Sequence, residues 1–232
     1  MKHFATGGTD SALLGLFWPE LLPDDFDERV EEGSESKLFD ELAERGTVIQ
    51  LPGEAEGNYS LVLCVDEPLP AELRLYSREV KWLRKVKVAG ESWFGGLEYA
   101  FKTDRTMLGK RPGMCSPVAI AAGEYEATIY ATDVPDEVYE AWLVEKSSPS
   151  AKRLWDVQSW FAATGVVATM IFVGCLFFGT RPIMFAALAV AFALSLIAWV
   201  LSRTRAYLAV QQARHDYEES HPDFVICLQP SK

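Results

Sequence analysis

Two long apolar runs dominate the pattern of the chain. Trp160–Phe178 reads WFAATGVVATMIFVGCLFF, and Ile183–Leu201 reads IMFAALAVAFALSLIAWVL. Neither holds a charged residue, and only Gly179-Thr180-Arg181-Pro182 separates them. Each is about as long as a helix that crosses a hydrocarbon core of roughly 30 Å. The pattern predicts a transmembrane helical hairpin over residues 159–201, with helices at 159–179 and 183–201.

Upstream, the apolar positions are more closely spaced. Ser11–Trp18 (SALLGLFW), ended by Pro19, reads as a buried strand or a short helix. Leu38, Phe39, Leu42 and Ala43 recur at helical spacing, so a helix is expected over Ser36–Arg45, stopped by Gly46. The acidic stretch Asp24–Glu35 before it reads as a solvated loop or first turn. From Thr47 the period changes to two. Strands are expected at Thr47–Leu51, Tyr59–Asp66, Glu72–Tyr76, Val80–Val88, Leu97–Lys102, Pro117–Ala121 and Glu124–Thr132, with Gly and Pro turns between them. Val138–Lys146 (VYEAWLVEK) fits either period and is assigned as the last strand of the set.

These strands, about ten residues apart, predict a mainly-β, sandwich-like antiparallel domain over residues 1–148, with one short helix; a small barrel is the other solution. Residues 149–158 form the linker. After the hairpin, residues 202–232 read as a helical stalk carrying Tyr207, Val210, Ala213 and Tyr217. Pro222 ends it, and the apolar segment Phe224–Leu228 is expected to return to the soluble domain as an added sheet edge.

Charge divides the chain in the same place. Residues 1–150 carry 28 acidic and 15 basic side chains, a net of −13; residues 151–232 carry 5 and 7, a net of +2. An acidic domain repels phosphate, which argues against nucleic acid. It suits a basic protein partner. Met1–Asp10 lacks the apolar core of a secretory signal. Lys152, Arg153, Arg203, Arg205 and Arg214 flank the hairpin, against Arg181 alone in its turn. That asymmetry places both termini in the cytoplasm, and the protein in the inner (cytoplasmic) membrane. Trp155, Trp160 and Tyr207 suit the cytoplasmic interface. Cys64, Cys115, Cys175 and Cys227 are widely spaced, as expected in a reducing compartment.

Searching for chemistry yields little. His3, His215 and His221 form no metal-ligand spacing, and no nucleophile elbow, P-loop or other cofactor motif occurs. Gly7-Gly8-Thr9-Asp10 is not a P-loop, and Gly95-Gly96 reads as a hairpin turn. Lys110 and Arg111 lie near Cys115 and could lower its pKa. The sequence therefore predicts neither catalytic residues nor a metal, and no enzyme.

Binding candidates are clearer. Arg78, Lys81, Arg84, Lys85 and Lys87 crowd one strand of an acidic domain. Lysines of that kind protect a sheet edge, or meet anionic lipid headgroups or an acidic partner. Trp93-Phe94, beside two glycines, is a candidate anchor for a partner; most other aromatic residues, Trp82 among them, are assigned to the sandwich core. In the second run, Ala187/Ala191 and Ala189/Ala193 give the small-residue spacing of close helix packing, which suits a homo-oligomer.

A cytoplasmic β-rich acidic domain followed by a two-helix hairpin resembles in outline some bacterial immunity proteins. The resemblance implies a membrane-anchored module that neutralises a toxin or effector by binding. A sensor whose soluble domain triggers clustering of the hairpin, and a scaffold subunit of a membrane complex, are the alternatives.

Overall fold

The computed structural model describes residues 1–31, 35–53, 55–178 and 181–231, and the chain divides into two compact units. The first unit comprises Met1–Val134 and Glu218–Lys232, the second Pro135–Tyr217. The turn residues Gly179 and Thr180 lie outside the described residues, as does Glu54.

In the first unit, nine strands form two sheets among the described residues. They are β1 (Lys2–Thr9), β2 (Leu13–Phe17), β3 (Val48–Pro52), β4 (Gly57–Val65), β5 (Ser77–Val88), β6 (Ser92–Gly96), β7 (Cys115–Val118), β8 (Gly123–Thr132) and β9 (Phe224–Pro230). One sheet runs β1-β4-β9-β8-β5, the other β3-β2-β6-β7. Their inner faces share a core that includes Leu14 and Leu16 from β2, Leu61 and Leu63 from β4, Phe94 from β6, Ile129 from β8 and Ile226 from β9. Trp18 lies fully buried in it, its indole N–H donating to Ser92 Oγ at 2.7 Å. The helices α1 (Phe26–Glu31) and α2 (Glu35–Glu44) cover the outer face of the smaller sheet. Phe26, Phe39 and Leu42 pack there with Phe17, Leu97, Tyr99 and Phe101. A short helix, α3 (Thr106–Lys110), precedes β7.

The two glycine pairs of the sequence meet each other. A Cβ on Gly7 would stand 2.6 Å from the Gly95 Cα, and Gly8 N–H donates to Met114 O at 3.0 Å. Gly95-Gly96 is not a hairpin turn but the end of β6, and Gly7-Gly8 lies within β1, next to its last residue Thr9. The close approach lets the end of β1 lie directly on the smaller sheet.

Several expectations are corrected. β9 is the middle strand of its sheet rather than an edge, and it runs parallel to β4. The unit is therefore not purely antiparallel. Val138–Lys146 lies inside a helix, α4 (Asp136–Ser147). Pro135 precedes it, Asp136 and Glu137 occupy its first turn, and Lys146 its last, which is helix-terminus chemistry. Leu97–Lys102 begins with a 3-10 turn, Leu97–Tyr99, and the strand lies just before it, at β6. Glu72–Tyr76 forms turns, with Leu73 tucked under the larger sheet. β1 occupies a segment for which alternation predicts no strand, and α1 lies in the supposed loop.

The second unit holds α4, α5 (Pro149–Phe178), α6 (Arg181–Ser202) and most of α7 (Arg205–Ser220). α5 begins two residues after α4 ends, so the expected linker is helix. Leu143, Ala151, Val210 and Ala213 join α4, the start of α5 and α7 in a small core, where Trp142 Nε1 donates to Ala213 O at 2.9 Å. α5 and α6 each contain a segment long and apolar enough to cross a membrane. Their mutual face is narrow. On α5 the shielded positions include Phe161, Gly165, Ala168, Phe172 and Cys175; on α6 they include Ala187, Ala191, Leu194 and Ala198. Both follow alternating steps of three and four, the spacing of a coiled-coil seam. Large apolar side chains elsewhere are open, Phe192 at 69 % and Met170 at 68 %.

Candidate functional site

β3 ends one sheet and β5 ends the other, so two strand edges lie at the same side of the sandwich. Between them is a groove of about 840 Å³. Arg78 and Lys81 from β5 reach it, with Leu51, Tyr59, Val80 and Phe224 supplying apolar surface. The Tyr59 and Phe224 rings lie 5.9 Å apart. Tyr59 is fixed by its hydroxyl, which donates to Ala55 O at 2.8 Å and accepts from Ala55 N–H. Asp223, just before β9, is committed to its neighbour: one carboxylate oxygen accepts from both Ser60 N–H and Ser60 Oγ at 2.7 Å. Arg78 and Lys81 have no ion-pair partner among the described residues. Asp133 and Asp223 also line the groove, so two carboxylates stand with the two cations.

β5 presents its residues in an unexpected order. Register shifts fall between Glu79 and Lys81 and between Leu83 and Val86. Each bulge adds a residue to the outer face. The inward positions become Val80, Leu83, Val86 and Val88, and Trp82, expected in the core, is 53 % exposed beside Lys81. The strand is a sheet edge, as the lysines suggested. The five cations are not one patch. Lys85 pairs with Glu124 at 3.0 Å in a separate cleft that also holds Arg84 and Glu126. Lys87 is exposed where its backbone N–H donates to Gly46 O.

Trp93 and Phe94 part company. Phe94 is fully buried in the sandwich core. Trp93 is half-buried and borders a shallow groove of about 920 Å³ with Met1, Val118 and Ile120. It packs edge-on against Phe101 at 5.5 Å, with Arg105 over its ring and Glu91 accepting its indole N–H at 3.3 Å.

Three of the cysteines are buried. Burial, and then the Glu98 charge, push the Cys115 thiol up to about 12, the reverse of an activated nucleophile. Cys64 and Cys227 stand opposite each other on β4 and β9 and are buried. Their mutual hydrogen bond lowers Cys64 and raises Cys227. Glu98 accepts from Thr9 Oγ1 and Asp10 N–H, and Tyr99 donates to Asp10. Burial and that carboxylate raise Tyr99 to about 12, so the group is a lock on the β1–β2 turn. No group of three His, Cys, Asp or Glu residues that could hold a metal ion occurs among the described residues.

Sequence reasoning found Arg78 and Lys81 but missed Tyr59, Asp133, Asp223 and Phe224. The groove walls come from four distant segments, and the two bulges defeat simple alternation. Comparison with family models, curated proteins and solved structures finds no match to this chain.

Proposed function

We propose that the protein is a membrane-anchored binding module, with α5 and α6 as the spanning hairpin and the sheet-rich unit as the part that captures a protein partner. The observation that carries the reading is the groove, where Arg78 and Lys81, without an ion-pair partner among the described residues, stand beside Leu51, Tyr59, Val80 and Phe224 in a unit whose net charge is otherwise strongly negative. Such a surface steers a basic partner by its overall field and fixes register where an acidic side chain of that partner meets Arg78 and Lys81. The favoured instance is an immunity-type protein that neutralises a bacterial toxin or effector by occupying it. The hairpin lies in the inner membrane with both termini in the cytoplasm.

The test is affinity capture with the full chain in mild detergent, compared with an Arg78→Glu/Lys81→Glu variant. The expected result is a partner held by the wild type, weakened by salt and lost in the variant. Equal capture by both, or none by either, overturns the groove as the binding surface. Protease added outside spheroplasts is expected to spare residues 1–134; digestion overturns the orientation.

A second reading, clustering of hairpins as part of a sensor, is favoured by one feature of α6. Ala187 and Ala191 are used against α5, whereas Ala189 and Ala193 face outward. Cross-linking in the bilayer through Ala189→Cys would report it.

A further inference from the structure

The hairpin carries its own level marks. A Cβ on Gly165 would lie 3.5 Å from Ser195 Oγ and 3.7 Å from Leu194 Cβ, which sets α5 and α6 in antiparallel register. Following that register, Trp160 of α5 comes level with Trp199 of α6. Both are more than half exposed, at 66 % and 54 %. From Trp160 to Phe178 is about 27 Å at 1.5 Å per residue, close to the thickness of a hydrocarbon core. Two outward indoles at one level, with an apolar length of that size beyond them, mark a membrane–water boundary.

Just on the polar side of this boundary, positive charge gathers. α6 breaks at Arg203-Thr204, and Thr204 Oγ1 accepts from Tyr207 N–H to start α7. Arg203 and Arg205 flank the break, and Arg153 of α5 lies at the level reached by α7. All three are exposed, and none has an ion-pair partner among the described residues. Arg203 is held over the Trp199 ring at 4.4 Å. Beneath them Trp155 and Tyr207 stack at 4.5 Å, and Arg214 covers Trp155. The neighbouring Lys152 is neutralised by Asp156 and Glu140, at 2.7 and 2.9 Å. Of the exposed guanidinium groups, those of Arg153, Arg203 and Arg205 lie nearer the boundary than Arg214.

We infer that Arg153, Arg203 and Arg205 form a collar that binds the phosphate of anionic phospholipid headgroups, with Trp160 and Trp199 seated at the acyl boundary below it. The inference rests on the membrane reading of α5 and α6. Guanidinium groups pair with phosphate through two parallel hydrogen bonds, and each exposed cation at an anionic surface strengthens attachment severalfold. The collar would retain anionic lipid around the hairpin and fix its depth.

The experiment uses the full chain in vesicles and follows quenching of tryptophan fluorescence by brominated phosphatidylcholine or brominated phosphatidylglycerol. Quenching by both lipids is expected, with phosphatidylglycerol favoured. In an Arg153→Gln/Arg203→Gln/Arg205→Gln variant the preference is expected to fall by about 100-fold, with quenching by phosphatidylcholine unchanged. Equal quenching in the wild type, or a preference the variant retains, overturns the collar and leaves the membrane reading standing. Absence of quenching by either lipid overturns the membrane reading itself. Helical circular dichroism in detergent checks that the variant is folded.

Discussion

Asp27 shows how one side chain fixes a loop. It stands in the first turn of α1 and accepts from the backbone N–H groups of Lys102, Thr103 and Asp104 and from Thr103 Oγ1. Burial opposes its charge, but these donors together hold it below the ordinary carboxylate range. Its stabilising contribution is therefore present above the unfolded-state value of about 4 and is lost as pH falls through the lower folded value. Asp27→Asn is expected to cost about 2 kcal/mol at pH 7. The cost should shrink below about pH 4, read by denaturant titration of the full chain in detergent. Gly46 illustrates what the sequence announces at this scale. Its φ is +69°, its N–H donates to Ala43 O, and Thr47 N–H donates to Leu42 O, the two bonds of a Schellman stop. A glycine after a helical run is readable in advance. Gly7 and Gly95 were not, because their contact joins positions far apart in the chain and no local pattern reports it.

At the scale of elements, β9 and β5 hold opposite places in one sheet. β9 pairs with β4 on one side and β8 on the other, and Ile226 within it is fully buried. Ile226→Ala is expected to cost about 2–5 kcal/mol, measurable as a lowered thermal midpoint. β5 has one free side. Replacing Lys81, Lys85 and Lys87 with Thr is expected to leave the midpoint nearly unchanged but to lower solubility, because charged edges resist pairing between molecules. Light scattering during concentration would show it; unaltered solubility would remove the protective role. The β9 segment was legible as a strand because FVICL is apolar and follows Pro222. Its central place was not, since partner choice is set by the whole sheet. VYEAWLVEK was ambiguous because Val138, Trp142 and Val144 fall on one strand face, interrupted by Glu140, while Tyr139, Trp142 and Leu143 follow the helical period. The decision comes from α7, against which Trp142 and Leu143 pack.

For the whole molecule, the apolar runs and the charge boundary were legible from composition alone, because length and hydropathy are local sums. The division into units was not, since the sheet-rich unit is assembled from both ends of the sequence. On the proposed membrane reading, Phe192→Arg places a charge on the open face of α6 at a cost of about 3 kcal/mol. It is expected to move part of the protein from the carbonate-resistant fraction to the soluble one; unaltered fractionation would remove α6 as a span. The discontinuous sheet also imposes an order of events. During synthesis β4 and β8 emerge long before β9, so each lacks the strand that should lie between them while α5 and α6 are being made. The sandwich cannot close until residues 224–230 have cleared the ribosome. Maturation of the binding surface is thereby postponed until after the hairpin has been produced, and a chain broken off within the hairpin would leave no competent half behind.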